Sequence, residues 1–478
     1  MYLGLDLGTS GLKGLLIDGD QAVVGQATVP LTVDRPRSGW SEQSPAAWIS
    51  AVASVFDALA AQHDLSRVRG IGLSGQMHGA TLLDASDEVL RPCILWNDTR
   101  AHEEAAALDA DPKFRAITGN IVFPGFTAPK LAWVAKHEPD VFARVAKVLL
   151  PKDYLRLWLT GEHATDMSDA AGTSWLDTAK RDWSDDLLAA TGLRRDQMPG
   201  LVEGSAVSGT VRAQLSARWG LSSDVVVAGG GGDNAASAIG MGTVRAGQAF
   251  LSLGTSGVLF AATDRFAPQP ETAVHSFCHA VPGQWHQMGV ILAATDALNW
   301  FARMCGTAAP ELTATLGDVI APGPTTFLPY LGGERTPLND ASIRGAFMGI
   351  GHAADRDALT RAVLEGVAFA FADCRDALAA TGTVLERATA IGGGSLSEHW
   401  LQIMANATGL SLDIPQAGDF GGAFGAARLG LMAAEAAGPE IATPPEISRS
   451  IEPDPGLADA FAEGHARYRE AARLAAAF

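Results

Sequence analysis

The chain predicts an α/β protein built from two matching halves, and three observations carry that prediction. The heptapeptide LDLGTSG at residues 5–11 returns as LSLGTSG at residues 251–257, with Asp6 replaced by Ser252. Each copy sits between apolar runs with the alternation of strands, and strand-like and helix-like periods alternate after it. The length of 478 residues exceeds what one core uses and allows two or three domains. The repeat favours two, at residues 1–243 and 244–478.

The first half opens as strand, tight turn and strand, in YLGLDLG, TSG and LKGLLIDGD, and a third alternating run, QAVVGQATVPL, follows. Three short antiparallel strands are the expectation. Behind Pro45, residues Trp48, Val52, Val55, Phe56 and Leu59 recur at helical spacing, and VRGIGLSG then predicts a buried strand. In the second half QAFLSLGTSGVLFAA predicts a hairpin, and WHQMGVILAATDALNWFARM a strand passing into a helix. Leu359, Val363, Val367, Phe371, Cys374 and Leu378 mark one long amphipathic helix ending near Gly382. RATAIGGGS reads as a strand entering a glycine turn, SEHWLQIMANATG as a helix, and the Pro-rich residues 438–455 as a connector to a terminal helix.

Composition excludes several classes. Lys and Arg number 35 against 53 Asp and Glu, a net charge of −18, so nucleic acid and anionic membrane are poor partners. No apolar run approaches the roughly 20 residues of a membrane span. Asp6 and Gly8 interrupt the N-terminus where a signal peptide needs an apolar region, so a cytoplasmic location is expected. Cys93, Cys278, Cys305 and Cys374 lie far apart, which argues against a zinc ribbon, a redox motif or a disulfide framework.

Neither G-x-x-x-x-G-K-[ST] nor a strand-to-helix G-x-G-x-x-G is present. The two Gly-Thr-Ser-Gly turns, Gly8 to Gly11 and Gly254 to Gly257, offer N–H groups and hydroxyls in an anion-sized concavity instead. A plain hairpin turn explains one copy, whereas two copies heading matching halves favour a shared task. Asp6 lies in an apolar strand, where a carboxylate needs a partner. Backbone donors would satisfy it; if the turn holds phosphate, Asp6 is placed to hold Mg²⁺, with Lys13 on the same side.

The segment VVVAGGGGDNAASAIG, residues 225–240, runs from a strand through four glycines to Asp233 and a helix. Two readings stand: Asp233 caps that helix, or it is a general base at the end of a strand. SGQMHGA places His78 behind a buried strand, and in LWNDTR Trp96 reads equally as core, with Asn97 and Asp98 as turn formers. IGGGS, residues 391–395, lets backbone approach a purine and ribose, or simply makes a turn.

Over nearly its whole length the chain resembles the FGGY carbohydrate kinases. The resemblance rests on LDLGTSGLK, GWSEQ, GLSGQMHGATLLD, LWNDTR, GFTAPKLAW, LPKDYLRLWLTGE, TDMSDAAGTSWLD, GGGDNAA, LSLGTSG, AVHSFCHA, FLPYLGGERTP, VLEGVAFAF and IGGGSLSEHW. The first glycine turn is shared with Hsp70-like and actin-like ATPases, whereas GQMHGATLLD, WNDTR and LPKDYLRL are much more specific. The resemblance implies two RNase H-like domains of the actin/hexokinase/Hsp70 type with the active site in the cleft between them. It implies transfer of the ATP γ-phosphate to the 5-hydroxyl of D-xylulose, in D-xylose catabolism, with ATP and Mg²⁺ as the cofactors.

By position, the same resemblance implies Asp233 as base, Asp6 as the Mg·ATP carboxylate and metal ligand, and Met77 and His78 as sugar contacts, with Asn234 and Trp96 beside them. Thr9, Ser10 and Lys13 resemble the first phosphate loop, Gly254 and Thr255 the second, and Gly393, Gly394 and Ser395 the adenosine site. The family pattern has three glycines before the base, and this chain has four, Gly229 to Gly232. Ribulose, gluconate or glycerol are the alternative acceptors. A protein-binding ATPase of the actin or Hsp70 kind is a further alternative, which leaves LPKDYLRL and GQMHG without a role. A homodimer is left open.

Overall fold

The computed structural model describes residues 1–416 and 420–477. Two mixed sheets organise them, and each is centred on one copy of the repeated hairpin. In the first, Tyr2–Leu7 pairs antiparallel with Gly11–Ile17, which pairs antiparallel with Val23–Pro30. On its other side Tyr2–Leu7 runs parallel to Gly70–Gly75, to which Val226–Ala228 and Gly231–Gly232 add in parallel. In the second sheet Ala249–Leu253 pairs with Gly257–Thr263, and Trp285–Ile291 and His275–Cys278 extend it antiparallel. Arg387–Ile391 and Ser411–Pro415 join in parallel on the other side.

The hairpins, the parallel strands and the helices Pro45–Ala60, Arg356–Ala380 and Glu398–Thr408 lie where apolar periodicity places them. The Pro-rich segment differs. Within it Ile447–Ile451 forms an edge strand antiparallel to Ser411–Pro415, and its residues are mostly exposed, so it has no buried face to write an alternation into the sequence. The terminal helix, Ala458–Ala475, follows. The four cysteines are free. Among the described residues no helix is long and apolar enough to cross a membrane.

The two halves interlock. Helix Gly422–Glu435, written near the end of the second half, lies across Tyr2–Leu7 and Gly70–Gly75 of the first sheet and crosses helix Asp233–Gly240. The crossing is so close that backbone touches backbone: a Cβ at Gly72 would stand 1.7 Å from the Ala426 carbonyl oxygen, and one at Gly425 would stand 1.7 Å from that of Ala236. Buried Arg428 fastens the crossing, its Nη1 donating to the carbonyls of Ile239, Gly240 and Thr443 at 3.0 Å each.

Gly425→Ala is therefore expected to destabilise the protein by about 3 kcal/mol or more, because the clash is with main chain that has no side-chain freedom to yield. Gly19→Ala, where nothing stands within 4 Å, is expected to leave the melting temperature unchanged. Thermal unfolding of the two variants checks both; a Gly425→Ala protein that melts with the parent would show that the crossing has slack.

Candidate active site

Strand register sets the surroundings of Asp6. It stands opposite Lys13 on one side and Ser74 on the other, and Ser74 Oγ donates to Asp6 Oδ1 at 2.8 Å. The start of the crossing helix closes in from above, since a Cβ at Gly422 would lie 2.9 Å from Asp6 Oδ2. In the second copy Ser252 stands opposite Val258 and Ile391, so the whole cross-strand environment is uncharged there.

Asp233 is the first residue of helix Asp233–Gly240, and Gly232 occupies the cap position. The Asp233 Oδ1 accepts from the backbone N of Asn234 at 2.7 Å and from Asn234 Nδ2 at 3.0 Å. A capping Asp would instead take an N–H two or three residues on, so the cap reading fails. Burial first, and the charge of Asp6 second, push the Asp233 carboxyl up to about 6. The two carboxylates, both of the first half, sense each other's charge, and a pair of hard oxygen donors of this kind suits a divalent cation such as Mg²⁺.

The loop before Asp233 rests on a polar cluster sealed from solvent. Lys152 Nζ lies 2.7 Å from Asp153, 2.8 Å from Asp166 and 3.1 Å from Asp169. Three carboxylates face two cations, Lys152 and Arg156; burial pushes the Asp169 carboxyl well above its usual range against the pull of Lys152. From this base Arg156 donates to the carbonyls of Ala228, at 2.6 Å, and Gly229. Ser168 Oγ donates to Asp166 and accepts from the Gly232 N–H at 3.1 Å. Gly230 takes φ +81°, a Cβ at Gly229 would stand 2.1 Å from the Glu203 carbonyl, and one at Gly232 would stand 2.8 Å from Met77 Cγ. Gly231 is the least crowded of the four, and even there a Cβ would stand 3.3 Å from the Ala236 N.

Met77 thus packs beside the residue preceding Asp233, and His78 follows with φ +69°. That conformation is held from behind: Lys130 Nζ, at 2.7 Å, and Thr127 Oγ1, at 3.2 Å, both donate to the His78 carbonyl. The His78 ring stacks on Phe126 at 4.5 Å, and its Nδ1 lies 2.7 Å from the Gly172 carbonyl. A carbonyl only accepts, so Nδ1 carries the hydrogen and Nε2 is the acceptor. Burial, and then the Lys130 charge, push His78 down to about 3, which keeps it neutral.

Trp96 is half exposed, and its Nε1 donates to Thr9 Oγ1 at 3.0 Å. Thr9 Oγ1 donates to Gln76 Oε1 at 3.0 Å, Gln76 Nε2 to Gln43 Oε1 at 2.9 Å, and Gln43 Nε2 to the Thr9 carbonyl at 2.7 Å. This closed circuit wires the first hairpin to the Met77 side of the cleft and occupies the Thr9 hydroxyl, while Ser10 stands exposed at the tip. Asp98 is buried, accepting from Ser41 N at 2.6 Å and Arg100 Nη2 at 2.7 Å, so it does more than form a turn.

In the second half the N–H groups of Thr295 and Ala294 donate to the carbonyls of Gly254, at 2.9 Å, and Thr255, at 2.8 Å. A cavity of about 420 Å³ opens beside this hairpin, lined by Thr295, Leu298, Asn299, Pro310, Gly393 and Gly394 among others. Its size and mostly apolar lining suit a nucleoside. Ser395 turns its hydroxyl back onto the Gly392 carbonyl at 2.7 Å, and Ser397 lines the cavity instead.

The structure therefore groups Asp6, Lys13, Met77, His78, Asp233 and Asn234 around one end of the first sheet, joins Trp96 to Thr9, and gathers Gly254, Thr255, Gly393 and Gly394 in the second half. Sequence reasoning missed Ser74, Gln76, Lys130, Ser168, Thr295 and Asn299. Of these only Ser74 and Gln76 carried a signal, as polar residues closing an apolar strand beside His78.

Residues 1–240 match the model of the FGGY family of carbohydrate kinases, N-terminal domain, and residues 249–434 match that of its C-terminal domain. A xylulose kinase of Escherichia coli (strain K12) is 53% identical over 437 residues, covering 91% of this chain and 90% of that protein. A xylulose kinase of Klebsiella pneumoniae is 52% identical over 460 residues, 95% of each. A crystal structure from Brucella ovis, described as a xyloylose kinase, is 62% identical with a TM-score of 0.98, over 100% of this chain and 99% of that one. The fold is the two-domain, actin/hexokinase-like one of sugar kinases. With both domains present in order, the chain belongs to the FGGY family of carbohydrate kinases.

Proposed function

We propose that the protein is a xylulokinase, transferring the γ-phosphate of ATP to the 5-hydroxyl of D-xylulose. The observation that carries the catalytic part of this reading is Asp233, a carboxylate raised to about 6 by burial and the charge of Asp6, next to the Gly232 that packs on Met77. At neutral pH it is ionised yet basic enough to accept the proton of an attacking hydroxyl. Asn234 fixes one of its oxygens, so that the carboxylate keeps a single orientation. The choice of ketose rests on the similarity to xylulose kinases over nine-tenths of the chain.

Phosphoryl transfer asks mainly for positioning and charge neutralisation. Neutral His78 presents Nε2 as an acceptor for a sugar hydroxyl, with its backbone held by Lys130 and Thr127. The first hairpin offers the backbone and hydroxyl of Ser10 to phosphate, the second offers Gly254 and Thr255, and the cavity beside Gly393 and Gly394 takes the adenosine. Asp6, with Asp233 nearby, would hold Mg²⁺, which supplies charge neutralisation at the phosphates when bound.

In a coupled assay with ATP and Mg²⁺, ADP formation is expected to depend on added ketose, with kcat/KM for D-xylulose at least about tenfold above that for ribulose, gluconate or glycerol. Preference for another acceptor would overturn the substrate assignment. Asp233→Asn is expected to lower kcat by about 10²–10⁴.

The same substitution has a signature in stability. With its value raised from 3.8 to about 6, the folded protein holds the Asp233 proton more tightly than the unfolded chain. The group therefore favours folding below about pH 4, and that contribution is lost as the pH rises through 6. Asn escapes the loss. The melting temperature of metal-free Asp233→Asn relative to the parent should rise between about pH 5 and 7; a difference that stays flat would show that Asp233 does not carry the raised value.

A further inference from the structure

The second half reaches into the His78 side of the cleft with one charged side chain. Residues 334–336 are tied to the strand Trp285–Ile291 and its end: Thr336 N donates to the Val290 carbonyl, Val290 N to Thr336 Oγ1 and Leu292 N to Glu334 Oε1, each at 3.0 Å. This anchoring projects Arg335 over Phe123, its Cζ 4.2 Å from the ring centroid, with Nη1 3.2 Å from His275 Nε2. Phe123 and His275 both pack on Phe126, the ring on which His78 stacks. A continuous line of contacts thus runs from Gly232 and Met77, beside Asp233, through His78 and Phe126 to Arg335.

Arg335 is oddly served for a guanidinium held in this place. It has five N–H donors, and its one side-chain hydrogen bond among the described residues is the contact with His275. Among the described residues it makes no ion pair. The two imidazoles facing it are uncharged: burial, and then Arg335 itself, hold His275 well below the usual imidazole range, and His78 is held at about 3. Its sequence neighbour Glu334 spends one carboxyl oxygen on the backbone of Leu292 and Arg335, and burial pushes it up to about 7. Desolvating a cation with no carboxylate in direct contact is costly, and an anchored loop that nevertheless holds one against an aromatic wall points to an oxygen-rich ligand.

We propose that Arg335 is a substrate-binding residue contributed by the second half, donating to the oxygens at the C1–C2 end of the acceptor, away from the hydroxyl that Asp233 faces. The guanidinium is all donor, and the carbonyl and terminal hydroxyl of a 2-ketose are acceptors that fit it. A contact from the second half to a sugar seated on the first also makes the fit of the cleft depend on the acceptor's oxygens. The inference rests on the ketose-kinase reading above.

The test compares the parent with Arg335→Lys and Arg335→Met on D-xylulose and 1-deoxy-D-xylulose, with thermal melts as a folding check. Arg335→Met is expected to raise KM for D-xylulose about 10–100-fold while KM for ATP stays within about twofold, and to abolish the parent's preference for D-xylulose over the 1-deoxy analogue. Arg335→Lys, which keeps the charge and is the decisive variant if Arg335→Met does not fold, should recover part of the KM but not the full preference. An unchanged KM for ketose, a matching rise in KM for ATP, or a preserved preference between the two sugars would overturn the assignment. If the parent does not phosphorylate D-xylulose at all, the substrate reading fails instead; the same KM split on the acceptor it does take then decides whether Arg335 binds that acceptor.

Discussion

Everything in the cleft depends on one close crossing, that of helix Gly422–Glu435 over the first sheet and over helix Asp233–Gly240. Main chain meets main chain at Gly72 and Gly425, so the spacing is set by carbonyl oxygens and hydrogens rather than by side chains that could repack. Two ends are delivered by that crossing. One is the start of the crossing helix, which packs Gly422 against Asp6; the other is the start of the crossed helix, which begins at Asp233. The two carboxylates are about 230 residues apart in sequence and feel one another's charge because the crossing admits a single spacing.

Around this junction several buried polar groups end on backbone carbonyls and N–H groups. Arg156 and Ser168 hold the glycine loop, Lys130 and Thr127 hold the His78 carbonyl, and Arg428 holds the end of the crossed helix. Each such group costs desolvation, and a buried ion pair is weak evidence for stability. What these groups secure is geometry: a glycine run and a residue at positive φ have many conformations open to them, and a charged donor on the carbonyl leaves one. Burial also sets protonation, keeping His78 neutral and Asp233 ionised but basic near pH 7. Geometry and proton inventory thus have the same origin.

The strands that carry the site were legible because a polar residue in an apolar run, such as Asp6 or the Gln76-Met77-His78 stretch, stands out against its neighbours. The cap question at Asp233 was not decidable, since it turns on whether the carboxylate bonds to the next N–H or to one further along. The edge strand Ile447–Ile451 left no pattern because it has no buried face. Lys130 and Arg335 lie within GFTAPKLAW and FLPYLGGERTP, but their partners are 52 and 60 residues away, across separate elements. A sequence records that a residue is there and its local period; which carbonyl or ring it meets is a product of the tertiary crossing.

The repeated hairpin shows how a duplicated unit becomes unequal. Both copies keep Gly-Thr-Ser-Gly, because an anion-sized turn between two strands asks for the same backbone in either sheet. The cross-strand set has diverged as a block: Asp6 with Lys13 and Ser74 in the first sheet, Ser252 with Val258 and Ile391 in the second. A lone Asp at position 252 would face two apolar partners, with no cross-strand group to offset its charge. Freed from charge, the second copy instead accepts the amides of helix Thr295–Met304 on the carbonyls of Gly254 and Thr255, and the apolar cavity forms against that seam. One sheet can present charge and the other can present a binding cavity only because the carboxylate was kept once.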